Sequence, residues 1–74
     1  MSRVGPLPAR KVVRALEALG FQVVRQKGSH AMLVHPDGRT TIVPIHPSQE
    51  IGPGLLRKIV RDAGVSMEDF MDRA

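Results

Sequence analysis

The chain contains no cysteine, no tryptophan and no tyrosine, and its only aromatic residues are Phe21 and Phe70. Without cysteine there is no disulfide scaffold, no thiol nucleophile and no zinc site built on thiolates. Without Trp and Tyr, the aromatic platforms on which common single-strand binders stack bases are almost missing. Any nucleic-acid binding must then work through phosphate charge and shape. No run of about 18 apolar residues occurs, so no stretch reads as a membrane-spanning helix. The opening Met1-Ser2-Arg3-Val4-Gly5-Pro6 lacks the apolar segment of a signal peptide, and the expected location is cytoplasmic.

What remains is 74 residues, read as one domain over 1–74 with a loose arm at 1–6. A chain of this size buries only about 60–65% of its extended surface, so its core is thin and a deep substrate pocket is not expected. A large partner laid across the surface fits better than an enclosed metabolite. Eleven Lys and Arg against seven Asp and Glu give a net charge of +4. That excess suits nucleic acid, an anionic surface or an acidic protein, and it also suits simple solubility.

In chain order, Pro8 suits the start of a helix read over 9–19, with Val12, Ala15, Leu16 and Leu19 as its apolar stripe. Gly20 is the expected stop. Strands are expected over 21–26, 30–34 and 40–45, and Pro36-Asp37-Gly38 supplies the turn between the last two. The pair Val23-Val24 blurs the alternation of the first strand. Successive apolar residues in the other two leave the face of His30 open. Prolines at 44, 47 and 53 break the next stretch into a loop. A helix follows over 53–63 and stops at Gly64. Ser66 caps a last short helix, with Glu68 and Asp69 in its first turn, and Phe70 and Val65 pin it to the core. The fold class is therefore α+β, in the order α-β-β-β-α with a final short helix. Two helices cover one face of a three-stranded antiparallel sheet and leave the other open.

His30 follows Lys27, Gly28 and Ser29. An imidazole with a free pKa of about 6.5 moves protons at neutral pH, and a neighbouring lysine neutralises a phosphate. These are the parts needed to cut RNA without a metal. A base takes the proton of a ribose 2′-hydroxyl, a cation steadies the phosphate, and an acid protonates the leaving 5′-oxygen. A surface histidine beside ordinary turn residues fits the same string. His46, at the end of the third strand, falls near the start of the second and is the candidate second proton carrier. It also reads as a solvated loop residue. His35 reads as surface, at the far end of the hairpin. The basic residues fall into three groups: Arg10, Lys11 and Arg14; Arg25, Lys27 and Arg39; Arg57, Lys58 and Arg61. Arg25 and Lys27 share a strand face leading into His30. Histidine spacing and scattered acids give no metal site, and no motif implies a cofactor.

The ordered set Leu19-Gly20-Phe21, Lys27-Gly28-Ser29-His30, His35-Pro36-Asp37-Gly38-Arg39, Val43-Pro44-Ile45-His46, Leu56-Arg57-Lys58-Ile59 and Ala63-Gly64-Val65 resembles the HicA family of small bacterial and archaeal toxins, also called YcfA-like. The resemblance spans nearly the whole chain. It implies a fold similar to a double-stranded-RNA-binding domain. It also implies a ribosome-independent mRNA endonuclease (an mRNA interferase) held in check by a HicB antitoxin. The family's functional histidine, in its Gly-Ser-His motif, falls on His30, with Gly28 and Ser29 as its setting. The proline-x-histidine motif falls on Pro44 and His46. Gly54-Leu55-Leu56 stands where the family commonly has Gly-Thr-Leu, so a helix-start hydroxyl is missing.

The sequence thus supports a metal-independent endoribonuclease with His30 and His46 as proton carriers. Lys27, Gly28, Ser29, Arg25 and Arg39 form its expected RNA-binding surface. A non-catalytic RNA-binding module on the same fold, and a protein-binding domain with a basic face, are the rival readings.

Overall fold

The computed structural model describes residues 5–47 and 49–74; the expected arm before Gly5, and Ser48, lie outside the described residues. The elements are β1 (Leu7–Pro8), α1 (Ala9–Ala18), β2 (Gln22–Lys27), β3 (His30–Val34), β4 (Thr40–Pro44), β5 (Glu50–Ile51), α2 (Pro53–Ala63) and α3 (Met67–Arg73). The architecture is the α+β arrangement expected. Strands β2, β3 and β4 form a three-stranded antiparallel sheet in that order.

Alternation along β3 and β4 fixes the two faces. Ala31 and Leu33 of β3, with Thr41 and Val43 of β4, are buried toward the helices. Their neighbours His30, Met32, Ile42 and Pro44 point to the other face. Helix α1 contributes Val12, Ala15 and Leu16 to the core, and α2 contributes Leu56, Ile59, Val60 and Ala63. Phe21 and Phe70, the two aromatics, are both fully buried. The polar Thr41 sits in this core because its hydroxyl donates to the Ile59 carbonyl at 3.0 Å, which ties β4 to α2.

Strand β2 departs from the expected half-covered sheet. All six of its residues are exposed, so it projects beyond the helix layer. Its blurred alternation has a structural cause. Val23 pairs with Leu33, but the next pair is Arg25 with Met32, so Val24 is an inserted bulge residue. The insertion shifts the strand by one. It turns Arg25 and Lys27 onto the face of Met32 and His30, their ladder partners.

The hairpin turn between β2 and β3 is Gly28-Ser29, closed by the Lys27–His30 pair. Gly28 has φ +58 and Ser29 is not in the positive-φ region, the pattern a type II′ turn requires. Two further differences lie at the chain start and in the loop. Pro8 is the N-cap of α1, which starts at Ala9 as expected. Pro8 also ends β1, which pairs antiparallel with β5 through Leu7–Ile51 and Pro8–Glu50, and so ties the loop after β4 to the start of the first helix. The final helix starts as expected: the Ser66 hydroxyl accepts the Asp69 N–H at 3.0 Å.

Candidate active site

His30 opens β3 directly opposite Lys27 of β2 and Pro44 of β4. It is exposed, on the sheet face the helices leave open. Its height on that face is set from both sides. The Gly28-Ser29 turn fixes its entry, and the Ser29 carbonyl accepts the Ile45 N–H just beyond the end of β4. A side chain at Gly28 would meet nothing within 4 Å, so the glycine serves the turn's positive φ rather than a tight contact.

Two hollows meet at His30. One, of about 270 Å³, is lined by Arg25, Lys27, His30, Met32 and Ile42. The other, of about 320 Å³, lies between β4 and α2 and includes His30, Pro44, Leu55, Lys58 and Asp62. Ile42 stays 48% exposed and Leu55 40%, so both hollows have an apolar wall open to solvent. The sequence placed Arg25 and Lys27 beside His30, and the bulge at Val24 brings them there. It assigned Lys58 only to the outer surface of its helix. Nothing in a helical period says that this surface borders the mouth of a hairpin.

Two expected residues are not in this cluster. His46 is exposed on the loop after β4 and lines a third hollow, with Pro8, Arg10 and Gln49 near the start of α1. It follows His30's ladder partner Pro44 by two residues, yet borders neither hollow that His30 borders. Arg39 is further away, at the other end of the hairpin just before the Val34–Thr40 pair. Its guanidinium is engaged. Nε donates to Asp37 Oδ1 and Oδ2 at 3.0 and 2.9 Å, and Nη1 donates to the Ala63 carbonyl at 2.9 Å. Its Cζ lies 5.5 Å from the centroid of the Phe21 ring. Arg39 therefore satisfies the carbonyl end of α2, where a cation is favoured, and clamps the turn to the core.

His35 belongs to the same clamp, which corrects its reading as a surface residue. Its side chain is 22% exposed. The ring meets Phe21 edge-on, with centroids 5.2 Å apart and planes at 66°. Nδ1 lies 3.2 Å from the Asp37 backbone nitrogen and 3.0 Å from its carboxylate. The Arg39 side chain, and then its backbone N–H, hold the Asp37 carboxyl down from 3.8 to about 2. Gly20 has φ +101, and a Cβ there would stand 2.8 Å from His35 Nε2. Helix stop and imidazole therefore share one space.

Among the described residues no three His, Asp or Glu side chains converge to hold a metal, and no helix is long and apolar enough to cross a membrane. At His30 the open face and the edge of β4 bring together an exposed imidazole, Arg25 and Lys27 of β2, Lys58 of α2 and apolar walls.

Comparison with known proteins identifies the family. Residues 9–65, which run from the first residue of α1 to just past α2, match the family model for the HicA toxin of bacterial toxin–antitoxin systems. A protein of Pseudomonas fluorescens (strain Pf0-1) named "Probable mRNA interferase HicA" is 38% identical over 52 residues, covering 70% of this chain and 85% of that protein. The matched span contains the whole sheet, the His30 turn and both helices that support them, and the chain belongs to the HicA toxin family.

Proposed function

We propose that this chain is the toxin of a type II toxin–antitoxin pair, a metal-independent endoribonuclease that cuts mRNA at its open sheet face. The observation that carries the reading is the exposed His30 between the Arg25–Lys27 hollow and the α2 hollow. A histidine packed into the core would instead have favoured a non-catalytic RNA-binding module.

The mechanism follows from the groups present. His30 takes the proton of a ribose 2′-hydroxyl, and that oxygen attacks the adjacent phosphorus. The bond from phosphorus to the 5′-oxygen breaks, and that oxygen takes a proton. Lys27, directly across the ladder, neutralises the non-bridging oxygens as charge builds on them, and Arg25 extends the cation row along β2. Gly28 and Ser29 hold His30 in place through the turn. His46, on the loop after β4 and outside both hollows at His30, is the candidate acid for the 5′-oxygen. Arg39 supports the fold of the hairpin that presents the site. The proposed protein partner is a HicB-type antitoxin, and a protein that cuts mRNA would act in the cytoplasm.

The test is the chemistry of the cut ends. Purified protein in EDTA should cleave RNA and leave 2′,3′-cyclic phosphate or 3′-phosphate termini. Products ending in 3′-hydroxyl would rule out 2′-hydroxyl attack. Retained RNA binding with no cleavage would select the binding-module reading instead.

A further inference from the structure

The hollow between β4 and α2 has no role in the chemistry above. It is the larger of the two that meet at His30, at about 320 Å³ against about 270 Å³. Its single cation is Lys58, one helical turn before Asp62. Lys58 Nζ donates to Asp62 Oδ2 at 2.8 Å. Both side chains are open to solvent, 66% for the lysine and 41% for the aspartate. An exposed pair of this kind is weak, so the amine is available to a stronger anion. Leu55, 40% exposed, and Pro44 and Ile42 provide apolar wall beside it.

Cations line both hollows that meet at His30. On the β2 side stand Arg25 and Lys27, and on the α2 side stands Lys58, with Ile42 and His30 common to both hollows. Two strand spacings, about 10 Å, separate β2 from β4. We propose that the α2 hollow is the second half of the RNA site: a single strand crosses the sheet with its scissile phosphate over His30, and Lys58 leaves Asp62 to take a phosphate oxygen of the nucleotide on the far side. This rests on the nuclease reading. It deepens that reading by naming the α2 hollow as part of the path of the strand and Lys58 as a phosphate-binding residue. The walls offer no aromatic platform, so the strand is held through its phosphates, and the apolar surface favours a single strand because only unstacked bases can reach it. The cations on either side of the histidine are placed to neutralise phosphates on both sides of the scissile one.

The experiment compares wild type, Lys58→Gln, Lys58→Arg, Asp62→Asn and His30→Ala on one labelled RNA, as a single strand and as its duplex, in EDTA. Cleavage and affinity are measured together, and thermal melting checks each fold. Lys58→Gln should lower kcat/KM by about 10- to 100-fold, the size expected for losing a charge-assisted contact. It should reduce the slope of log affinity against log salt by about 0.7, one single-strand phosphate. Lys58→Arg should restore the slope. Asp62→Asn, which removes the competing anion, should tighten binding about two- to fivefold. The duplex should bind and cleave worse than the strand. Wild-type behaviour of Lys58→Gln in both readouts, beside an inactive His30→Ala, would overturn the Lys58 assignment and leave the nuclease reading standing. If wild type fails to cleave, the nuclease reading falls, and the affinity and slope of Lys58→Gln still decide whether the hollow binds RNA.

Discussion

The β3–β4 hairpin has a histidine at each end, and the two ends use it in opposite ways. At the turn, His35 stacks edge-on against Phe21 and sits over Gly20, beside the bonded pair of Asp37 and Arg39. At the mouth, His30 is exposed between two hollows and has cations on both flanks. The same holds for arginine and lysine. Arg39 is held by a carboxylate, the Ala63 carbonyl and a ring, whereas Lys27 stands on an exposed edge strand. The lesson is that residue type does not separate architecture from chemistry in a small domain. What separates them is whether the side chain's donors and faces are already occupied by the fold. The clamped end anchors the hairpin turn to the ends of α1 and α2, and the mouth is held separately by the Gly28-Ser29 turn and the bond from the Ile45 N–H to the Ser29 carbonyl.

Predictions that sharpen this comparison run from the clamp outward. Phe21→Ala removes the ring against which both His35 and Arg39 rest, and should cost about 3–5 kcal/mol of unfolding free energy in denaturant titration. Its cleavage rate per folded molecule should stay at the wild-type value, because the mouth is untouched. Lys27→Ala should do the reverse. Its melting temperature should hold, while the salt slope of RNA affinity falls by about 0.7 and cleavage slows. A Lys27→Ala variant that melts early would mean that the mouth, too, is structural.

The smallest effect is electrostatic. Asp37 titrates at about 2 in the folded chain against an ordinary 3.8. A depressed carboxyl stabilises the fold above its unfolded pKa and loses that contribution as pH falls through the folded one. The melting-temperature gap between wild type and Asp37→Asn should therefore be constant above about pH 5 and close toward pH 2. Because the carboxylate is half exposed, the gap itself should be small. A gap that widens on acidification would contradict the pairing with Arg39.

Much of the architecture was readable from the sequence, because periodicity and punctuation are local. The stripe Val12, Ala15, Leu16, the stops at Gly20 and Gly64 and the Ser66 cap all depend on residues within a turn or two of each other. The face of His30 was not readable. Met32 and Ile42 are apolar on the open side, and Thr41 is polar on the buried side, where only a carbonyl of a distant helix satisfies its hydroxyl. The bulge at Val24, which aims Arg25 and Lys27 at the site, leaves no trace beyond an unclear alternation. The two-residue strands β1 and β5 are too short to show a period. Arg39 looked like a cation for RNA because its partners, the Ala63 carbonyl and Phe21, lie far along the chain. His30 itself was singled out by the resemblance of its turn to a known family, together with the chemistry of an imidazole beside a lysine.

The most direct test sets the two histidines against each other. Wild type, His30→Ala and His35→Ala are assayed on single-stranded RNA in EDTA, each normalised to its folded fraction. His30→Ala should melt like wild type and cut no RNA. His35→Ala should melt at a lower temperature and cut at the wild-type rate per folded molecule. A folded His35→Ala that has lost cleavage, or a His30→Ala that cuts as fast as wild type, would contradict the division between a clamped end and a catalytic mouth.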